Sequence, residues 1–239
     1  MTVASSSRAF APAKLKAGTG AFHPPARIQT SVLAPRERKL LDLLCQRLPH
    51  WVTPDLLTAI GVFGAVVAAA GYLASNLNPS FLFLASFGLI VNWFGDSLDG
   101  SLARYRQTER HRYGFFLDHS MDAFSNLIIT VGLGLSPYVG MDVALFTLVG
   151  YLMLGVFVIL SNHVSGAFRL SFLGFGPTEL RLLLVFFNLM MFVLRPISLH
   201  VLGRVFSLHS ISVGALGVVL VSLFLVNVYL TAAELARQG

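Results

Sequence analysis

Charge is scarce in this chain. Asp, Glu, Lys and Arg together make 12% of its 239 residues, against roughly 25% in soluble globular domains. So few charges cannot clothe the surface of an ordinary soluble domain. Cysteine is scarcer still: a single residue, Cys45, excludes an intrachain disulfide framework. The first 33 residues contain no acidic side chain and no apolar run long enough for the core of a signal peptide. The seventeen Lys and Arg outnumber the eleven Asp and Glu, but they lie in tails and loops rather than among aromatics. A membrane surface therefore explains the basic balance without a nucleic acid. What is abundant is apolar: 55% hydrophobic residues, twenty Phe and a mean hydropathy of +0.74 place the chain in the multi-span helical membrane class.

A helix crossing the hydrocarbon core needs about 20 mainly apolar residues, and six segments qualify, near 55–75, 81–104, 114–136, 143–166, 179–197 and 211–233. Turn residues separate them, as in Asn76-Leu77-Asn78-Pro79, Ser136-Pro137 and Gly174-Phe175-Gly176-Pro177. Ahead of them, Leu40, Leu41, Leu43, Leu44 and Leu48 recur at helical spacing against Arg36, Arg38, Lys39, Asp42 and Arg47. That pattern predicts an amphipathic helix in the headgroup plane. The expected fold is all-α, an integral membrane bundle of six transmembrane helices preceded by this interfacial helix. Residues 1–33 read as a flexible basic cytosolic tail, a composition that would also suit an organellar transit peptide, and residues 34–239 read as one membrane domain. With the N-terminus inside, fifteen of the seventeen Lys and Arg fall on the inner side and only Arg195 and Arg204 on the outer. The split predicts a cytosolic N-terminus and C-terminus.

Four of the eleven acidic residues cluster where charge is most costly, in the pattern Asp96-x2-Asp99-Gly100-x2-Ala103-Arg104-x9-Gly114-x3-Asp118-x3-Asp122. Charges at mid-membrane cost about 2.5–3.5 kcal/mol each, so intramembrane carboxylates mark function by default. Helical spacing puts Asp96, Asp99, Gly100 and Ala103 on one stripe of the second span and stacks Asp118 and Asp122 on the third. A short basic loop lets the two stripes face each other. Hard oxygen ligands suit Mg²⁺, Mn²⁺ or Ca²⁺ better than zinc. Gly100 and Ala103 leave room for a bulky group near the backbone, or else serve close helix packing. Arg104 is placed to neutralise or hold a site carboxylate, and His119 to buttress one through a hydrogen bond rather than to bind metal.

The full pattern resembles the signature of the CDP-alcohol phosphotransferases, with every fixed position present. The resemblance implies transfer of a phosphoalcohol from a CDP-linked donor to an acceptor hydroxyl with release of CMP, in phospholipid biosynthesis. It implies Asp96, Asp99 and Asp118 as ligands of two divalent ions, Mg²⁺ or Mn²⁺, and Asp122 as both site carboxylate and general base. Gly100 and Ala103 would form the floor under the cytidine nucleotide. The opening Thr53-Pro54-Asp55-x2-Thr58 is similar to the Pro-Asn-x-x-Thr of family members, which implies Thr58 at the donor phosphates. Asp55 stands where Asn is usual, and either Thr53 or Asp55 is suited to cap the helix that starts there. The segment Asn162 to Arg169, with Pro177-Thr178-Glu179-Leu180-Arg181 and Asp118-His119, resembles the choline and ethanolamine phosphotransferase branch. It implies an acceptor site from Arg169, Glu179 and Arg181, although the two arginines would equally serve topology. Arg106, Arg110 and Arg112 read as a topology signal meeting anionic lipid. A homodimer is implied by the family alone.

The contrasting reading is a divalent-cation or proton-coupled carrier whose carboxylates bind the transported ion. A catalytically silent scaffold is disfavoured by the complete aspartate set. Against the carrier stand the absence of an obvious inverted repeat and the placement of Gly and Ala around the carboxylates. Donor headgroup and acceptor are left open, since CDP-diacylglycerol and a CDP-headgroup present the same cytidine diphosphate.

Overall fold

The computed structural model describes residues 27–28, 34–165, 168–169, 177–194, 198–201 and 204–238. Among them are seven helices: α1 (Ala34–Arg47), α2 (Pro54–Ala74), α3 (Phe81–Tyr105), α4 (His111–Gly134), α5 (Met141–Ser165), α6 (Pro177–Val193) and α7 (Leu208–Gln238). Short strands accompany them. Arg27–Ile28 (β1) pairs in parallel with Phe168–Arg169 (β2), and Ser198–Val201 (β3) pairs antiparallel with Arg204–Ser207 (β4). The expected basic tail lies outside the described residues apart from β1.

Local chemistry sets the helix ends. Pro54 opens α2 at a position where its missing N–H costs nothing, and Thr53 Oγ1 accepts the Leu56 N–H at 3.2 Å. Thr53 is thus the cap, and Asp55 pairs instead with Arg110 at 2.5 Å. α3 ends in a Schellman motif: the Thr108 N–H donates to Ala103 O and the Gln107 N–H to Arg104 O. Gln107 occupies the left-handed position, φ 55°, that glycine usually fills. This reversal turns the chain back so that α4 packs chiefly on α2, with Asp118 and Asp122 facing Asp96 of α3.

α2 and α3 form the tightest pair in the molecule. Small residues let their backbones touch. A Cβ on Gly88 would come within 2.3 Å of Ala68 N, and one on Gly95 within 2.3 Å of Gly61 N. With no hydrophobic driving force between helices in lipid, such close approach is a main source of attraction. α4 leans on the same pair, where Gly132 faces Ala69. At one end of the bundle Tyr72, Leu82, Leu89, Ile129 and Met191 form the larger core, crossed by a buried polar chain in which Tyr72 Oη donates to Asn188 Oδ1 at 2.8 Å and Asn188 Nδ2 donates to Ser86 Oγ at 3.1 Å.

α1 does more than float on a surface. Leu41 and Cys45 are buried with Leu57, Leu98 and Leu102 in a second core, while Leu40 and Leu43 are exposed. The five leucines read as one face are therefore divided between the bundle and the outside. Arg106, expected to mark topology, donates to the carbonyls of Leu48, Pro49 and Val52 and so ties the α1–α2 joint to the end of α3.

α2, α3, α5 and α7 are long and apolar enough to cross a membrane. The six-span expectation is met only to that extent. α6 has 17 residues, and α4 carries Arg112, Asp118, His119 and Asp122, which lower its hydropathy. Both are nonetheless packed into the bundle, α4 on α2 and α5, α6 on α3.

Candidate active site

The aspartates lie in a pocket between three helices rather than two. α2 contributes Thr58, Gly61 and Val62; α3 contributes Asn92, Asp96 and Asp99; α4 contributes Asp118, Met121, Asp122 and Ser125. Asp96, Asp118 and Asp122 each present a carboxylate oxygen within 4.8 Å of the other two. Three like charges that close repel strongly unless a cation joins them. The donor set is hard oxygen throughout, so it fits a divalent ion of the Mg²⁺ or Mn²⁺ type.

Asp99 shares the pocket but stands apart from that group of three. Three residues of α3 beyond Asp96, its carboxylate accepts at Oδ2 from Thr58 Oγ1 of α2 at 2.6 Å and at Oδ1 from the Gly100 N–H of its own helix at 2.5 Å. Thr58, expected at the donor phosphates, here supplies the donor that holds Asp99. Gly100 has its open face covered by Arg104: a Cβ there would meet Arg104 Nη1 at 3.3 Å. Arg104 itself donates to Ser101 Oγ at 3.1 Å. Ala103 is half-buried on the next turn, and the space around Gly114 is open. His119 Nδ1 sits 3.0 Å from Phe115 O and 3.5 Å from Asp118 Oδ2, beside the carboxylate it was expected to buttress.

α6 delivers a cation to the site. Arg181 Nη1 is 2.8 Å from Asp96 Oδ2, Nη2 is 3.6 Å from Asp122 Oδ1, and Nε donates to Asn92 Oδ1 at 3.1 Å. Of the three residues expected at an acceptor site, Arg181 thus reaches the carboxylates. Glu179 is half-buried in the first turn of α6. Arg169 is described only through its backbone pairing with Ile28. Arg110 is engaged by Asp55 and lies over the Tyr113 ring at 4.2 Å, a half-exposed pair that solvent screens.

Asn92 escaped the sequence reading. It orients Arg181 through Oδ1 and fastens α3 to α2 by donating from Nδ2 to Gly61 O at 3.0 Å. The available signal was a buried amide one turn before Asp96 in an otherwise apolar stretch.

Comparison with known proteins identifies the family of the chain. A family model described as CDP-alcohol phosphatidyltransferase matches residues 51–234. The chain is 26% identical over 180 residues to "Cholinephosphotransferase 1" of Danio rerio, covering 71% of this chain and 44% of that protein. It is 32% identical over 121 residues to "Archaetidylinositol phosphate synthase" of Pyrococcus horikoshii, covering 50% and 61%. To "CDP-diacylglycerol--serine O-phosphatidyltransferase" of Encephalitozoon cuniculi it is 33% identical over 105 residues, covering 39% and 27%. The chain spans about half the length of the curated relatives it matches.

Proposed function

Because the chain belongs to the CDP-alcohol phosphatidyltransferase family, we propose that it moves a phosphoalcohol from a CDP-alcohol to an acceptor hydroxyl and releases CMP. The observation that carries the proposal is the convergence of Asp96, Asp118 and Asp122 from two helices, their oxygens within 4.8 Å, beside the cation Arg181. The acceptor oxygen forms a bond to the phosphorus that carries the alcohol, and the bond from that phosphorus to CMP breaks. The proton of the attacking hydroxyl goes to a carboxylate. Divalent ions at the aspartates would screen the diphosphate and stabilise the charge on the leaving CMP.

This chain's residues divide the remaining work. Asp96, Asp118 and Asp122 would hold the ions, with Asp99 beside them, fixed by Thr58. Asp122 has the side chain most open to solvent of the three, 37% against 20% for Asp96 and 27% for Asp118. A base that must meet an incoming hydroxyl needs that access. Gly100 and Ala103 line the stripe along which the nucleotide would lie once the Arg104 guanidinium swings off Gly100. Arg181, held by Asp96 and Asp122, would receive an acceptor anion only in competition with those carboxylates.

The proposed setting is a membrane enzyme in which α4 and α6 cross together with the four more apolar helices, and the aspartates open to the cytosol. On purified protein in micelles, CMP release is expected from either CDP-choline or CDP-ethanolamine with diacylglycerol, or CDP-diacylglycerol with a polar alcohol. Chelation should abolish the release and Mg²⁺ or Mn²⁺ restore it. The carrier reading would prevail if no CDP-alcohol released CMP while proteoliposomes showed divalent-ion or proton flux.

A further inference from the structure

Away from the carboxylate pocket, one acidic side chain gathers three donors from two distant helices, α3 and α6. Glu37, in the first turn of α1, accepts at Oε1 from Thr178 Oγ1 at 2.6 Å, Trp93 Nε1 at 3.2 Å and Ser97 Oγ at 3.3 Å. Trp93 Nε1 also lies 3.3 Å from Thr178 Oγ1. An acid in a first helical turn is favourable through the helix dipole whatever it touches. That effect explains a carboxylate facing water, not one bound to two other helices. Glu37 is half-buried while Pro35, Arg36, Arg38 and Lys39 around it are exposed, so the side chain is directed inward.

The arrangement on α3 connects this cluster to the site. Trp93 and Ser97 are one turn apart and form the stripe next to Asn92 and Asp96, the two residues that hold Arg181. On α6, Thr178 and Arg181 are three residues apart on one face. Two side chains of α6 therefore dock on neighbouring stripes of α3, and Glu37 closes the outer one. A second polar anchor of α6, Asn188, is seven residues from Arg181, about 10 Å along the axis, whereas Thr178 is only about 4.5 Å away. Of these two anchors, Thr178 is the nearer to Arg181.

We propose that Glu37 is a positioning residue for the transfer reaction: by binding Thr178 and Trp93 it fixes the start of α6 against α3 and registers Arg181 between Asp96 and Asp122. The inference rests on the proposed reaction for its rate readout but not for its structural one. The helix expected to rest on the membrane surface thereby becomes a part that the site depends on.

The test is a double-mutant cycle on the full chain in micelles. Glu37→Ala is expected to lower kcat about tenfold with the donor KM within about twofold, as when a group acts on the transition state and not on substrate binding. In an Arg181→Ala background the same change should cost nothing further, because residues acting through one another are not additive. Thr178→Val should behave as Glu37→Ala does, and Thr178→Ser, which keeps the hydroxyl, should stay near the wild type. The rise in melting temperature caused by Mn²⁺ alone is measured on the same proteins and should show the same non-additivity. Additive losses, or an unchanged kcat in folded Glu37→Ala, would overturn the proposal. If the wild type turned over no CDP-alcohol, the reaction reading would fail, and additive Mn²⁺ shifts would then overturn the positioning role by themselves. Should Glu37→Ala not fold, Thr178→Val carries both readouts.

Discussion

Asp122 occupies a position in which two demands meet. It lies close enough to Asp96 and Asp118 to share an ion with them, and close enough to Arg181 for its charge to be balanced. It is also the most open of the three. Asp122→Asn keeps the shape and removes the negative charge, so the ions would lose a ligand of one type and the hydroxyl its proton acceptor. Turnover is expected to fall at least roughly 10²-fold in a protein that still binds CDP-alcohol, the scale of lost general-base catalysis. Steady-state CMP release with a parallel donor-binding measurement checks it, and near-normal turnover would remove Asp122 from the role. The four aspartates were legible in the sequence because a charge in an apolar helix stands out against its surroundings. Asn92 and Glu37 were not, for a physical reason: each works through partners on other helices. The contact from Asn92 to Arg181 spans 89 residues, and that from Glu37 to Thr178 spans 141. Local spacing can flag a polar residue such as Asn92, one turn before Asp96, but it does not name such distant partners.

At the scale of the helices, period and turn chemistry located every helix expected, with ends within a few residues of those observed. Thr53-Pro54 and the polar Asn76-Leu77-Asn78-Pro79 turn are strong punctuation, and apolar length does the rest. What period alone did not reveal is how closely α2 and α3 approach. The small-residue reading centred on Gly100 and Ala103, yet the tight helix contact runs through Gly64, Gly71, Gly88 and Gly95. Gly88 is the sharpest test. A methyl group there would sit 2.3 Å from a backbone nitrogen, which cannot rotate away, so Gly88→Ala must push the helices apart. The expected loss is on the order of 1–3 kcal/mol, as for overpacking a tight contact, read as a lower melting temperature in micelles. Gly155→Ala in α5, where nothing lies within 4 Å, is the matched control and should melt no lower than the wild type. Equal melting temperatures for the two variants would show that the helices are not in backbone contact.

The whole molecule poses the question of which way it faces. Leu77 and Thr108 lie beyond opposite ends of α3, so if α3 crosses a bilayer the two are on opposite sides of it. The Thr108 end also carries Arg104, Arg106, Arg110 and Arg112, and Arg106 binds there to the α1–α2 joint. The loop rule for Lys and Arg predicts that this end, with the aspartates near it, faces the cytosol, where a soluble CDP-linked substrate would arrive. Cysteine labelling in intact cells decides the point. The native Cys45 is a quiet background: it is buried, and burial together with nearby Asp42 pushes its thiol pKa up, away from the reactive thiolate. Leu77 is a better probe site than its neighbour Asn76, because Leu77 is 85% exposed whereas Asn76 Nδ2 donates to Leu135 O and holds the α2–α3 turn to the end of α4. Thr108 is exposed and spares Gln107, whose left-handed backbone closes α3. An impermeant maleimide is expected to label Leu77→Cys in intact cells and to reach Thr108→Cys only after the membrane is opened. Labelling of Thr108→Cys in sealed cells would turn the aspartates toward the outer side, away from the proposed cytosolic donor.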